Sequence, residues 1–391
     1  MLPPVLVSWF ISYSLFLKFF DYKTGLASEK KVSSVPQGAV CDSRRKRTVC
    51  EKKDIPGCSL AYGSQFFKPP DLAGKLVKYN GKKESPENCL IVGLGVGYNE
   101  LILSPFVKSL RQYMNCEVLL VTKLLSNGSL NAYTESFLSK YEITEVRYDY
   151  GKVRAVLQRL KEQYKLDFSV GQFTSFPAAL QRYFIYDDIV QKKILSNKHI
   201  STSHVLLSDT KDVFFQHDVF SRLHGDVLYG AVEGIPPRSI SNQRRNLRWA
   251  RDCYGPNSPL ILDSTRLVLC SGTILGSFGA TAEYLKFFLK ELHSLTLREH
   301  KLPKKVRCIR QSGVDQGIHQ HVMWNSNLSK VVHLSYVNNV NDSLIGTVGL
   351  DWEKIHVGGG YLMNSYSEKF AMIHQYGKFL EQICQQFEHW T

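Results

Sequence analysis

The chain has 391 residues, of which 43% are hydrophobic, 12% aromatic and 21% charged. This composition excludes a disordered, collagen-like or coiled-coil protein and leaves a globular chain with a large core, one α/β domain or two closely packed halves. Lys and Arg total 49 against 35 Asp and Glu, a formal net charge of +14, which suits an anionic partner (nucleic acid, anionic lipid or a phosphorylated small molecule) or a merely solvated basic surface.

In chain order, the first feature is the apolar run Leu2–Leu17, followed by Lys18, Phe19 and Phe20. Letting Lys18 snorkel extends it to about the 20 residues that a membrane span needs. Residues 1–20 therefore read as a signal anchor, with a cleaved signal peptide as the rival, and either sends the rest of the chain into the secretory lumen. The absence of positive charge before the run, with Lys18 and Lys23 after it, runs against the positive-inside rule. Residues 21–85, rich in Lys, Ser, Pro and Gly, read as a stem. Ten Lys or Arg fall within 18–53 against four acids, among them Arg44-Arg45-Lys46-Arg47, read as a basic linker. Cys41, Cys50 and Cys58 in this stem look like disulfide material, and no cysteine pair has zinc-ligand spacing. Sequons at Asn127, Asn327 and Asn341 are acceptors if exposed in the lumen.

The folded domain is expected over 86–391. Cys89–Gly93 reads as a buried strand, Ile102–Tyr113 as a helix, Glu117–Thr122 as a strand, 130–141 as a helix, Thr144–Tyr148 as a strand and Val153–Tyr164 as an amphipathic helix. That alternation predicts parallel strands with crossover helices. The pattern continues with a helix over Ala178–Leu195, strands at His204–Ser208 and Val227–Val232, a basic helix around Asn242–Asp252, a strand at Arg266–Leu269 and a helix over Ala280–Ser294. From Lys330 onward short strands and turns lead to a helix over Gly377–Phe387.

The stretch with most chemistry is His204-Val-Leu-Leu-Ser-Asp209-Thr-Lys-Asp212-Val-Phe-Phe-Gln216, an apolar strand running into two carboxylates three residues apart. Ligands of open α/β sheets sit at the carboxyl ends of strands, and burying an unpaired carboxylate is costly. A divalent cation with positions left open for phosphate oxygens resolves that conflict. The plainer alternative has Asp209 capping a turn and Asp212 paired with Lys211 or an arginine.

These residues resemble the metal and nucleotide motif of the GT-A-fold, metal-dependent nucleotide-sugar glycosyltransferases of the secretory pathway, which usually reads Asp-x-Asp. Three further segments agree in order: Cys270-Ser-Gly-Thr-Ile-Leu-Gly276, similar to the small-residue wall of the sugar and acceptor cleft; Gly313-Val-Asp-Gln-Gly317, similar to an Asp-Gln turn near the reacting carbon; and Ile373-His374-Gln-Tyr376, similar to a late metal histidine. The resemblance spans roughly 88–380. It implies a GT-A-like α/β domain with a mixed, mostly parallel sheet, and transfer of a sugar from a nucleotide sugar, a UDP-sugar, to a glycan, protein or lipid hydroxyl. It implies Asp212, His374 and Asp209 as ligands of Mn²⁺ or another divalent cation, the histidine nitrogen favouring Mn²⁺. Asp315 is then either the general base of an inverting reaction or the residue that holds the donor sugar in a retaining one, with a lean to retention. A Golgi or ER single-pass membrane protein with a lumenal domain follows.

Gly93-Leu-Gly-Val-Gly97 lacks the spacing of a dinucleotide fingerprint and reads as a nucleotide loop, with Tyr98 or Asn99 near the base. Arg182 either contacts the diphosphate or pairs with Asp187 or Asp188. Glu233, Ser271, Gly272 and Gln316 are assigned to the acceptor and sugar cleft. Arg244, Arg245, Arg248 and Arg251 with Trp249 read as a solvated helical face, and no nucleic-acid partner is expected. The rival functions are a non-catalytic lumenal protein that binds glycan or nucleotide, and a Rossmann-type methyltransferase built on the glycines at 93–97.

Overall fold

The structure, a computed structural model, describes residues 89–125, 130–196, 203–223, 225–299 and 308–379. All of them belong to the unit Pro56–Thr391; the other unit, Met1–Ile55, lies outside the described residues. So do the anchor, the stem, its cysteine cluster and the Asn127 sequon.

β1 (Cys89–Leu94), β2 (Glu117–Leu124) and β3 (Thr144–Tyr148) alternate with helices α1 (Glu100–Tyr113), α2 (Ala132–Lys140) and α3 (Tyr150–Tyr164). Asn99, Asn131 and Asp149 start these three helices, each accepting a backbone N–H three residues on, at Ile102, Thr134 and Lys152. The caps explain why each helix begins two or three residues before or after its apolar period. A short helix, α4 (Val170–Ser175), escapes the sequence pattern and opens with a capping box between Ser169 and Gln172. α5 (Ala178–Ser196) then leads to β4 (His204–Asp209), the three-residue β5 (Val213–Phe215) and β6 (Val227–Val232).

Strand order is β3-β2-β1-β4-β7-β6-β8, with β7 at Leu269–Ser277 and β8 at His333–Val337. β1, β2, β3 and β4 are parallel neighbours, as are β6 and β8, whereas β7 runs antiparallel to both β4 and β6. The fold class is the expected one, α/β with a mixed, mostly parallel sheet flanked by helices. One strand expectation fails: Arg266–Leu269 is not the strand. Only Leu267 makes an isolated bridge, to Ser239, and the strand begins at Leu269 and continues through the small residues to Ser277. A strand buried on both faces tolerates Ser, Gly and Thr where neighbouring backbone comes close, so its composition hid it.

Helices cover both faces. In β1, Leu90 and Val92 join one core cluster with residues of α3, α5, α8 (Phe278–Glu299) and α9 (Val314–Asn325), while Ile91 joins a second with α1. α6 (Arg244–Tyr254) and the single turn α7 (Pro259–Leu262) lie between β6 and β7 in the chain. α6 buries Asn246, Ala250 and Cys253 and exposes Arg244, Arg245, Arg248 and Arg251, the solvated face expected.

A second expectation fails at Gly313–Gly317, which is not a turn but the start of α9. Gly313 is its N-cap at φ +75°, and Asp315 and Gln316 occupy its first turn. Both glycines admit Trp249 of α6: a Cβ would fall 2.6 Å from the Trp249 ring at Gly313 and 2.9 Å from its Cβ at Gly317. Near the end, β9 (Ile345–Thr347), the hairpin β10 (His356–Gly358) and β11 (Tyr361–Met363), and β12 (Met372–His374) are short, as expected. Most of the helix expected over Gly377–Phe387 lies outside the described residues, which end at 379; a 3₁₀ turn spans Tyr376–Lys378. Disulfides join Cys89 to Cys116 and Cys253 to Cys308, and Cys270 is free and buried. Among the described residues no helix is long and apolar enough to cross a membrane.

Candidate active site

Three pieces of backbone meet at the carboxyl end of β4. The last β4–β7 partners are Ser208 and Thr273, so the next step of the ladder sets Asp209 opposite Gly272. Past Asp209 the chain turns, tied to β1 by the Thr210 hydroxyl donating to the Leu94 carbonyl at 2.8 Å. It then enters β5, which pairs antiparallel with β12; there Val213 faces His374, and the Gln375 N–H donates to the Asp212 carbonyl at 2.8 Å. The small sheet β5-β12-β9 thus carries a histidine from 162 positions after Asp212 to its side.

Asp209, Asp212 and His374 offer ligand atoms within 4.8 Å of one another. His374 Nε2 lies 3.4 Å from Asp209 Oδ2 and 3.5 Å from Asp212 Oδ1. The ring is buried, while about a third of each carboxylate side chain is exposed. Gly272 makes the room: a Cβ there would sit 2.4 Å from His374 Cε1 and 2.5 Å from Asp209 Oδ2. Two carboxylates, one imidazole nitrogen and a cradle only glycine permits fit a divalent cation that keeps open positions, the donor set being hard oxygen with one borderline nitrogen. Burial works against the positive form of His374, but Cys270 and the two carboxylates outweigh it and raise its pKa well above the usual value.

Behind this cluster sits Arg182 on α5, only 5% exposed. Its guanidinium donates from Nη1 to Asp209 Oδ1, and from Nη2 to Asp315 Oδ2 at 2.9 Å and to the Ser271 carbonyl at 3.1 Å. The Ser271 hydroxyl donates to the same Asp315 oxygen at 2.8 Å. Arg182 pairs with neither Asp187 nor Asp188, which take Arg159 instead. The i, i+5 and i, i+6 spacings from Arg182 to those acids do not share its helix face, which explains the outcome. Burial alone would raise the Asp209 pKa; the charges of Arg182 and His374 win and hold it at about 2. Asp315 has the opposite balance: burial raises its pKa, and Arg182 and Ser271 only partly oppose it.

The cleft candidates meet on the other side of Asp315. Gln316 Nε2 donates to Asn246 Oδ1 at 3.0 Å and to Glu233 Oε1 at 3.3 Å, and Glu233 is held through its own N–H to the Val268 carbonyl at 2.9 Å. Ser271, Gly272, Gln316 and Glu233 therefore belong to one contiguous region with Asp315. The first loop stands differently. Gly93 is a packing glycine, since a Cβ would meet the Thr210 methyl at 2.4 Å, whereas Gly97 at φ +79° faces open space. Asn99 is exposed and its side chain caps α1, and Tyr98 is half-buried. Sequence reasoning missed Asn246, the shared acceptor of Gln316 and Gln320, and gave Cys270 no role, although its sulfur lies 3.2 Å from His374 Nδ1. The available signal for Cys270 was its spacing of two from Gly272, which puts both on one face of a strand.

No family model matches the sequence, and no curated protein matches it. Among solved structures, mouse Xyloside xylosyltransferase 1 in its apo form is similar at a TM-score of 0.39 and 12% identity, covering 75% of this chain and 99% of that one.

Proposed function

We propose that this chain is a metal-assisted glycosyltransferase that moves a sugar from a UDP-sugar to a hydroxyl of a glycan, protein or lipid. The observation that carries the reading is the convergence of Asp209, Asp212 and His374 at the end of a central strand, with a buried arginine linking that cluster to Asp315. Asp209, Asp212 and His374 would hold Mn²⁺, which supplies Lewis-acid stabilisation to the departing diphosphate.

The protein's own part is electrostatic. Arg182 fixes Asp209 and Asp315 relative to each other through one planar guanidinium, so the two carboxylates cannot drift apart. One Asp315 oxygen already accepts from both Arg182 and Ser271, and the residue is 4% exposed. That environment favours a carboxylate that supports positive charge at the donor sugar over a base that must reach an acceptor hydroxyl, which suits retention. Gly97, Tyr98 and Asn99 would border the nucleotide, and Glu233 and Gln316 the acceptor. The methyltransferase alternative loses ground because methyl transfer has no need of the Asp209, Asp212 and His374 cluster at the end of β4.

Two disulfides among the described residues suit an oxidising compartment, and with the apolar N-terminal segment they support an anchored protein with a lumenal catalytic domain in the Golgi or ER. Asn327 and Asn341 are exposed and would be glycosylated there. The test is a donor screen by thermal shift with UDP-, GDP- and CMP-sugars, each with and without Mn²⁺. A UDP-sugar with Mn²⁺ should give the largest rise and should be hydrolysed slowly. A folded protein that is stabilised by no nucleotide in either condition refutes the reading.

A further inference from the structure

We infer that Cys270 is a positioning residue for the metal site: its sulfur anchors Nδ1 of His374 and so aims Nε2 at the cation. The inference rests on the metal-site reading and adds to it a residue that takes no part in ligation.

The geometry comes from one face of β7. Cys270 and Gly272 are two residues apart on a strand, so both side-chain positions point the same way. The imidazole lies against that face. At Gly272 the absent side chain leaves space for Cε1 and Nε2, which would fall 2.4 and 2.8 Å from a Cβ. At Cys270 the sulfur reaches Nδ1, 3.2 Å away. The ring is thus held at one nitrogen and given clearance at the other, which faces Asp209 and Asp212. Among the described residues Cys270 is the free cysteine, and it is 1% exposed, so no disulfide or solvent competes for the contact.

A neutral imidazole that ligates through Nε2 must carry its proton on Nδ1, and that N–H needs an acceptor. Backbone carbonyls or carboxylates usually serve, and they set both tautomer and ring orientation. Here the acceptor is the Cys270 sulfur, 3.2 Å from Nδ1. Serine in this place would also accept the Nδ1 proton; alanine or valine would leave it buried and unbonded.

The test measures Mn²⁺ binding by titration calorimetry and by loss of the free-ion electron paramagnetic resonance signal, on the full chain with no nucleotide. Wild type, Cys270→Ser, Cys270→Ala and Cys270→Val are compared, with melting temperatures taken in the absence of metal. Alanine and valine should weaken Mn²⁺ binding by about 10-fold or more, serine should restore it to within about 3-fold, and the apo melting temperatures should not follow that order. Wild type binding Mn²⁺ with alanine equal to it within about 2-fold overturns the role of Cys270 and leaves the metal site standing. Wild type that binds no Mn²⁺ overturns both. Co²⁺ provides a third discriminant: a sulfur-to-cobalt charge-transfer band that disappears in Cys270→Ser would make Cys270 a ligand and overturn its assignment as an anchor.

Discussion

The two acids of the Asp209–Asp212 segment stand only three residues apart, yet they live in different halves of the site. Asp209 ends a strand of the seven-stranded sheet and, with about a third of its own side chain exposed, is tied through Arg182 to the buried Ser271 and Asp315. Asp212 precedes a strand of the small sheet; among the described ion pairs its carboxylate meets His374 and no arginine, and about a third of its side chain is exposed. The interior half is built for rigidity, since removing one partner of a buried ion pair leaves an uncompensated charge. The outer half is built for exchange, with acceptor oxygens left over for something that comes and goes. Stability and chemistry should therefore separate between them.

The hardest test of that division is Arg182→Met. It strips the counter-charge from Asp209 and Asp315 together, and Asp315 has almost no solvent to turn to. A loss of about 3–5 kcal/mol is expected in urea unfolding. A loss below about 1 kcal/mol would mean that the interior half is not held by this guanidinium.

Asp212→Ala should do the reverse. Metal-dependent hydrolysis of the UDP-sugar should fall by at least about 100-fold, equivalent to roughly 2.7 kcal/mol of barrier, while apo stability stays within about 0.5 kcal/mol of wild type. A variant that is destabilised as strongly as Arg182→Met would erase the distinction between the halves. Gly272→Ala sits at their seam. The added methyl would press on His374 and on Asp209 at once, so a cost of about 1–3 kcal/mol from overpacking should come with weaker Mn²⁺ binding. If only one of the two quantities moves, the methyl is being absorbed by one side alone.

The same division governs what the sequence made legible. β1 to β4 and α1, α2, α3 and α5 show through apolar periodicity because each buries one repeating face or run, and the strand that ends at Asp209 could be read directly. Asp209, Asp212 and His374 were grouped as ligands of one cation through the family resemblance and Asp315 was singled out beside them, but the arginine link from Asp209 to Asp315 was not. Arg182 lies 27 positions from Asp209 and 133 from Asp315, and no local pattern reports a contact between elements so distant. β7 was misplaced because its burial is written in Ser, Gly and Thr, residues that elsewhere mark turns. Gly313 and Gly317 likewise read as turn residues, when their absent side chains serve the approach of Trp249. What stayed hidden was close packing between distant segments, the one property a one-dimensional pattern does not encode.

The smallest expected effect probes how far the sealed half extends. His319 on α9 is 1% exposed, its Nδ1 2.8 Å from the Tyr284 hydroxyl. Burial, with Arg182 adding to it, pushes its pKa down from 6.5 to about 3. The unfolded chain takes up this proton below about pH 6.5 and the folded protein does not, so the stability that neutral His319 contributes is complete above that pH. It is lost as pH falls from 6.5 toward 3, with a slope of up to about 1.4 kcal/mol per pH unit. His321, driven down to about 4 by burial and by Arg298, adds a slope of the same sign over a shorter window. His319→Gln keeps a polar partner for Tyr284 and removes one of these two protons. Stability from urea unfolding between about pH 4.5 and 6.5 should therefore fall less steeply in the variant than in wild type, by up to about 1.4 kcal/mol per pH unit, whatever its stability at pH 7. An unchanged slope would show that His319 is protonated in the folded protein, and the dry interior would then stop short of α9.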